Sequence, residues 1–281
     1  MSVVPQYSCT SSSSTSSSDD EVFYNRRAIM NVFHSMKDVR AALKGTRFAK
    51  AVPPACPPSS APGKTMFAAL EGIDGVGKTT MRRRLGACGY RAVSAPIDVR
   101  DARFRTLRPE YDAAPERTRR AMYAAGNYWA LEGGEGESDG APFTVCDRFA
   151  ASSIAYAIAM DPTIPCLDAL PDWEFEWPVD LAKPTVTLYL VCDEGARGAR
   201  VTARPDIMTA EEHALQAKAA LRDRLLAAYE RVFAVNHLHV VRIDTTRQRP
   251  EAVATQCQDA LKAAGMPPGG EPAGVLVCTV V

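Results

Sequence analysis

The octapeptide Gly72-Ile73-Asp74-Gly75-Val76-Gly77-Lys78-Thr79 constrains this chain more than any other feature. It fills every fixed position of G-x-x-x-x-G-K-[ST], a spacing that wraps a polyphosphate. Glycines at 72, 75 and 77 let the backbone take positive φ and bring its N–H groups against phosphate oxygens. Those amides, the helix N-terminus behind them and the Lys78 ammonium together neutralise the bound charge. Thr79 offers a hydroxyl to Mg²⁺. A second Gly-Lys-Thr, at 63–65, follows no apolar run and has Pro58 where the first glycine belongs, so it is set aside.

Around the motif the chain alternates between short apolar runs and helical patterns. Met66–Leu70 leads into the glycine loop, and a helix is expected from Lys78. Further strands are expected at Phe143–Cys146, Val186–Cys192 and His239–Ile243, with a weaker one at Tyr90–Ala95. Between them, helices are expected at Ala150–Met160, within Glu194–Val235, and over about Pro250–Ala264. Strands separated by helices predict an α/β fold, a parallel sheet flanked by helices on both faces.

The 33 basic and 33 acidic residues cancel, which argues against nucleic acid or an anionic membrane as a partner. No apolar stretch is long enough for a membrane span. Eight scattered cysteines form no C-x-x-C pair and fit no zinc spacing, which reads as a reduced, intracellular chain. Residues 1–65 read as a disordered Ser/Pro-rich and basic segment, 66–264 as the folded domain, and 265–281 as a flexible tail. The basic stretch 26–50 is compatible with an amphipathic helix or a mitochondrial presequence, so cytoplasm and mitochondrion both stay open.

A second carboxylate lies at Phe143-Thr144-Val145-Cys146-Asp147-Arg148-Phe149, where an expected strand ends in Asp-Arg. Ligands of parallel sheets gather at the carboxyl ends of strands. There an Asp is placed to hold Mg²⁺ and an Arg to grip phosphate through its planar fork.

The phosphate loop together with Asp147-Arg148-Phe149 resembles the thymidylate kinase family, whose patterns are G-x-D-x-x-G-K-[ST]-[ST] and D-R-[YF]. Arg119–Tyr128, Ala155–Ala159 and Trp177–Pro184 resemble the mitochondrial UMP-CMP kinase 2 branch of it. The resemblance implies a P-loop nucleoside monophosphate kinase fold, ATP and Mg²⁺ as cofactors, a pyrimidine nucleoside monophosphate as acceptor, and pairing through helices as an option. It implies Gly72, Ile73, Asp74, Gly75, Val76, Gly77, Lys78, Thr79 and Thr80 as the ATP-binding segment. Thr79 and Asp147 become the metal residues. Asp74, Tyr123, Asn127 and Arg148 become acceptor contacts, with Tyr123 stacked on the base. The run Glu194 to Thr209 is by resemblance a mobile lid, whose Arg200 and Arg204 join Lys78, Asp147 and Arg148 as catalytic candidates.

Two departures stand out. Ala95-Pro96-Ile97-Asp98 has Asp98 where many relatives carry an arginine for the acceptor phosphate, so Arg100, Arg103 or Arg105 becomes a candidate replacement. Gly126-Asn127 stands where Asn-Arg is common, which leaves the base open among uracil, thymine and cytosine. Two rival readings remain. A deoxynucleoside kinase would need a base such as the Glu of E-R-S, which Asp147-Arg148-Phe149 does not supply. A nucleotide-binding regulatory module without turnover is the other.

Overall fold

The computed structural model describes residues 66–95, 116–132, 141, 143–203 and 210–269, with the single position Ile29 besides. The expectations for residues 1–65 and for the tail beyond 269 lie outside them, Ile29 excepted.

Apolar runs flanked by glycine or capping residues become the strands. They are β1 (Phe67–Glu71), β2 (Arg91–Ser94), β3 (Thr144–Asp147), β4 (Val186–Val191) and β5 (Val240–Asp244). All pair in parallel in the order β2-β3-β1-β4-β5, so β1, which feeds the glycine loop, is central. Every residue of β1 and β3 is buried, as covering both faces of a parallel sheet requires.

The helices are α1 (Lys78–Ala87), α2 (Glu116–Glu132), α3 (Ala150–Met160), α4 (Glu194–Thr202), α5 (Ala210–Ala217), α6 (Ala219–Val235) and α7 (Pro250–Ala263). Helices α1 and α7 pack on each other, α1 over β1–β3 and α7 over β4 and β5. Helix α6 packs on α3 and sets Tyr229 and Phe233 against Tyr189 of β4 in an aromatic cluster. After α7 the chain folds back, with Met266 buried and its carbonyl accepting from the Tyr90 hydroxyl at 2.8 Å.

The differences from the expected elements have local causes. Strand β4 stops at Val191, one residue short of Cys192, because Asp193 turns the chain and caps α4, accepting from the Ala196 N–H at 2.7 Å. Strands β1 and β3 each run one residue past their apolar stretch, into Glu71 and Asp147, since both carboxylates find partners inside the fold. The weak candidate around Tyr90–Ala95 is a true edge strand, β2.

Candidate active site

Strand β1 ends in a turn whose glycines 72, 75 and 77 all have positive φ, at 134°, 92° and 103°. Two of them are also required by space. A Cβ on Gly72 would fall 2.5 Å from the Leu190 carbonyl oxygen, and one on Gly75 would meet Val201 Cγ2 at 2.7 Å and Arg197 Cγ at 2.9 Å. The loop is therefore pressed between β4 and α4, where only glycine fits at 72 and 75.

Lys78 opens α1 and is only 5% exposed, its ammonium donating to the Ile73 carbonyl at 2.7 Å and lying 3.9 Å from Asp74 Oδ1. Arg148 arrives from the end of β3 and forms an ion pair with the same Asp74 Oδ1. Lys78 and Arg148 thus converge on one carboxylate, held in place also by the Tyr156 hydroxyl donating to Asp74 Oδ2 at 3.0 Å. Burial would raise the Asp74 pKa, but the charges of Arg148 and Lys78 hold it well below the usual carboxylate range. Burial, with Arg148 as neighbour, pulls Lys78 down to about 8 against the opposing carboxylates.

On the other side of the loop the Thr79 hydroxyl donates to Asp147 Oδ2 at 3.0 Å. A hydroxyl and a carboxylate at this separation are the hard oxygen donors that suit Mg²⁺, which keeps its remaining positions for water and phosphate. Among the described residues no group of three His, Cys, Asp or Glu forms a closed metal cage.

Of the expected lid arginines, Arg204 lies outside the described residues, as does Arg105. The structure does not bring Arg200 to the loop directly. Its guanidinium donates to the Thr245 hydroxyl at 3.0 Å, and that hydroxyl donates in turn to the Val76 carbonyl at 3.0 Å. Among the described arginines of this segment the one that touches the loop is Arg197, 2% exposed, donating to the Asp74 carbonyl at 3.1 Å while Glu194 holds its other edge. Arg197 was not singled out because three arginines at near-helical spacing do not reveal which face meets the loop. Arg82 was missed too. It lies one turn after Thr79 on α1 and places Nε 3.8 Å from Asp147 Oδ2, and among the described residues that buried nitrogen has no hydrogen-bond partner.

On α2, Tyr123 is half-buried, whereas Asn127 is 1% exposed. The Asn127 amide donates to the Ser153 hydroxyl at 2.9 Å, and among the described residues its Oδ1 has no partner. Glu71, the last residue of β1, is fully buried beneath these groups. Burial pushes its pKa up to about 7, against the hydrogen bond from Ser152 and the charges of Arg148 and Lys78.

That shift makes stability pH-dependent. Over the window from 4.5 to about 7 the folded state keeps a proton that the unfolded chain has lost. The stability Glu71 contributes is complete below 4.5 and is lost as pH rises through 7, a change on the order of 3 kcal/mol. Urea titrations across this window should therefore show a falling limb that Glu71→Gln flattens, and an equal slope in both proteins would exclude Glu71 as its source.

The family model described as Thymidylate kinase matches residues 70–256. Human UMP-CMP kinase 2, mitochondrial, is 32% identical over 183 residues, covering 63% of this chain and 39% of that protein. This chain thus spans about two fifths of the length of that relative. The structure of thymidylate kinase from Candida albicans superposes with a TM-score of 0.51 at 18% identity, over 72% of this chain and 92% of that one. That from Ehrlichia chaffeensis gives 0.45 at 17% identity, over 70% and 98%.

Proposed function

Because the chain belongs to the thymidylate kinase family, we propose that it transfers the γ-phosphoryl group of ATP to a pyrimidine nucleoside monophosphate, dTMP, dUMP, UMP or CMP. The observation that carries this reading is the convergence of Lys78 and Arg148 on Asp74 beside the Thr79–Asp147 pair. It puts two cations and a hard oxygen pair around one loop, the equipment for a phosphoryl group passing between two phosphates.

In this mechanism the loop amides and Lys78 hold the β- and γ-phosphates of ATP. Arg148 grips the acceptor phosphate, Arg100, Arg103 or Arg105 is the candidate for its second anchor, and Arg204 is the candidate for the equatorial oxygens of the transferring group. The acceptor oxygen bonds to the γ-phosphorus as its bond to the β-bridging oxygen breaks, releasing ADP. That acceptor oxygen is already ionised at neutral pH, so orientation and charge stabilisation are what the protein must supply. Mg²⁺ bound at Thr79 and Asp147 would neutralise charge on the β- and γ-oxygens. Tyr123 is the residue proposed to stack on the base, a contact that tolerates any pyrimidine. The name of the human relative supports UMP and CMP as the first acceptors to test.

With ATP and Mg²⁺ present, at least one of dTMP, dUMP, UMP and CMP is expected to give ADP in a coupled assay. Silence with all four would favour a nucleotide-binding module without turnover.

A further inference from the structure

Arg148 is an arginine in the left-handed region, at φ 67°. A side chain other than glycine pays for that conformation in strain, and it persists only where surrounding contacts over-determine it. Here the peptide groups are pinned on both sides. The Arg148 N–H donates to the Leu70 carbonyl at 2.9 Å, and the next N–H, of Phe149, donates to Glu71 Oε1 at 2.9 Å. The Ser152 N–H reaches the same oxygen at 3.4 Å, so Glu71 caps the start of α3 from a neighbouring strand.

The other carboxylate oxygen takes the hydroxyl of Ser152. Having donated to Glu71, the Ser152 oxygen is left to accept, and it does so from the Tyr229 hydroxyl at 2.7 Å and from Arg148 Nη1 at 3.3 Å. Glu71 therefore holds Arg148 twice, through the following peptide and through the guanidinium. The opposite edge of that guanidinium is the one paired with Asp74.

We propose that Glu71, acting through Phe149 N–H and Ser152, is the positioning residue that keeps Arg148 in its left-handed conformation with the guanidinium aimed at the phosphate loop. The inference rests on the kinase reading for its catalytic consequence, while its structural half stands independently. Glu71 touches no substrate in this account, and its effect passes entirely through Arg148.

The test compares Glu71→Gln and Ser152→Ala, each in the wild-type and the Arg148→Ala background, using whichever of the four monophosphates the wild-type enzyme accepts. Gln keeps an oxygen for the two N–H groups but turns an NH₂ toward the Ser152 hydroxyl, reversing the hydrogen bond of the ionised carboxylate. The assays are therefore run at pH 8, above the Glu71 value of about 7. Each single variant is expected to lower kcat/KM for the acceptor about 10- to 100-fold, with KM for ATP within about twofold. In the Arg148→Ala background both should add less than about twofold. Equal losses in both backgrounds, or acceptor kinetics within twofold of wild type, would overturn the proposal. Should Glu71→Gln fail to fold, Ser152→Ala carries the comparison, since it leaves the backbone cap in place. A crystal structure of Glu71→Ala is expected to show Arg148 outside the left-handed region; finding φ still near its present value would refute the inference even if no acceptor were ever turned over.

Discussion

Lys78→Ala is expected to lower kcat by roughly 10²–10³-fold while leaving the thermal midpoint unchanged or slightly higher. The two effects separate because the ammonium is proposed to serve the ligand, while the fold gains little from it. Its hydrogen bond to the Ile73 carbonyl returns little for a charge kept at 5% exposure, and burial has already drawn its pKa down to about 8. Between about 8 and its ordinary 10.5 the folded protein binds fewer protons at this site than the unfolded chain. Stability therefore rises with pH across that window, and the charged lysine is a burden below it. In the proposed reading a bound polyphosphate relieves the burden by adding negative charge beside the ammonium. Steady-state kinetics and thermal unfolding at pH 7.5 check the prediction. A midpoint several degrees lower, together with the lost activity, would mean that Lys78 is holding the loop and not the phosphates.

How much of this site was legible beforehand depended on whether a residue's task is local. The turn at residues 72–77 and the helix after it were readable because glycines at fixed offsets act through the backbone of one turn. That Asp147 and Arg148 end a strand was readable for a similar reason, as the apolar run before them stops there. The sheet followed from apolar runs, and only boundaries moved, where Asp193 caps a helix or where Glu71 and Asp147 carry a charge into a strand. What could not be read were tasks set by packing between distant segments. Nothing in the order of Arg197, Arg200 and Arg204 says that the first meets the Asp74 carbonyl while the second is tied to Thr245. Glu71 was invisible as well, because a glutamate at the end of an apolar run reads as solvated until Phe149 and Ser152 are seen folded onto it. Asn127, expected at the base, turns out to donate inward to Ser153, a partner 26 residues away.

The other large effect should come from Arg148→Ala, and it should fall on activity and stability together. Unlike Lys78, Arg148 is bound into the fold on every side, by Asp74, by the Gly72 carbonyl at 3.4 Å, by Ser152, and by the face of Tyr156 with its centroid 5.1 Å away. Alanine leaves Asp74, with 21% of its side chain exposed, facing only Lys78 at 3.9 Å and the Tyr156 hydroxyl. Removing one member of such a pair costs on the order of 3 kcal/mol, and activity should fall roughly 10²-fold with it. The pH dependence identifies the cause. A carboxylate whose folded pKa is depressed contributes stability above its unfolded value of 3.8 and loses it as pH falls toward the folded one. Without Arg148 that depression shrinks, so the stability gap between wild type and variant should be widest near neutrality and narrow as the solution is acidified below 3.8. Arg148→Lys, which keeps the charge but loses the planar fork, should recover part of the stability and little of the activity. Guanidinium or urea titrations of the three proteins at pH 7 and pH 2 measure the gap directly. A gap that stays constant between those two values would show that Arg148 stabilises the protein by packing and not through Asp74.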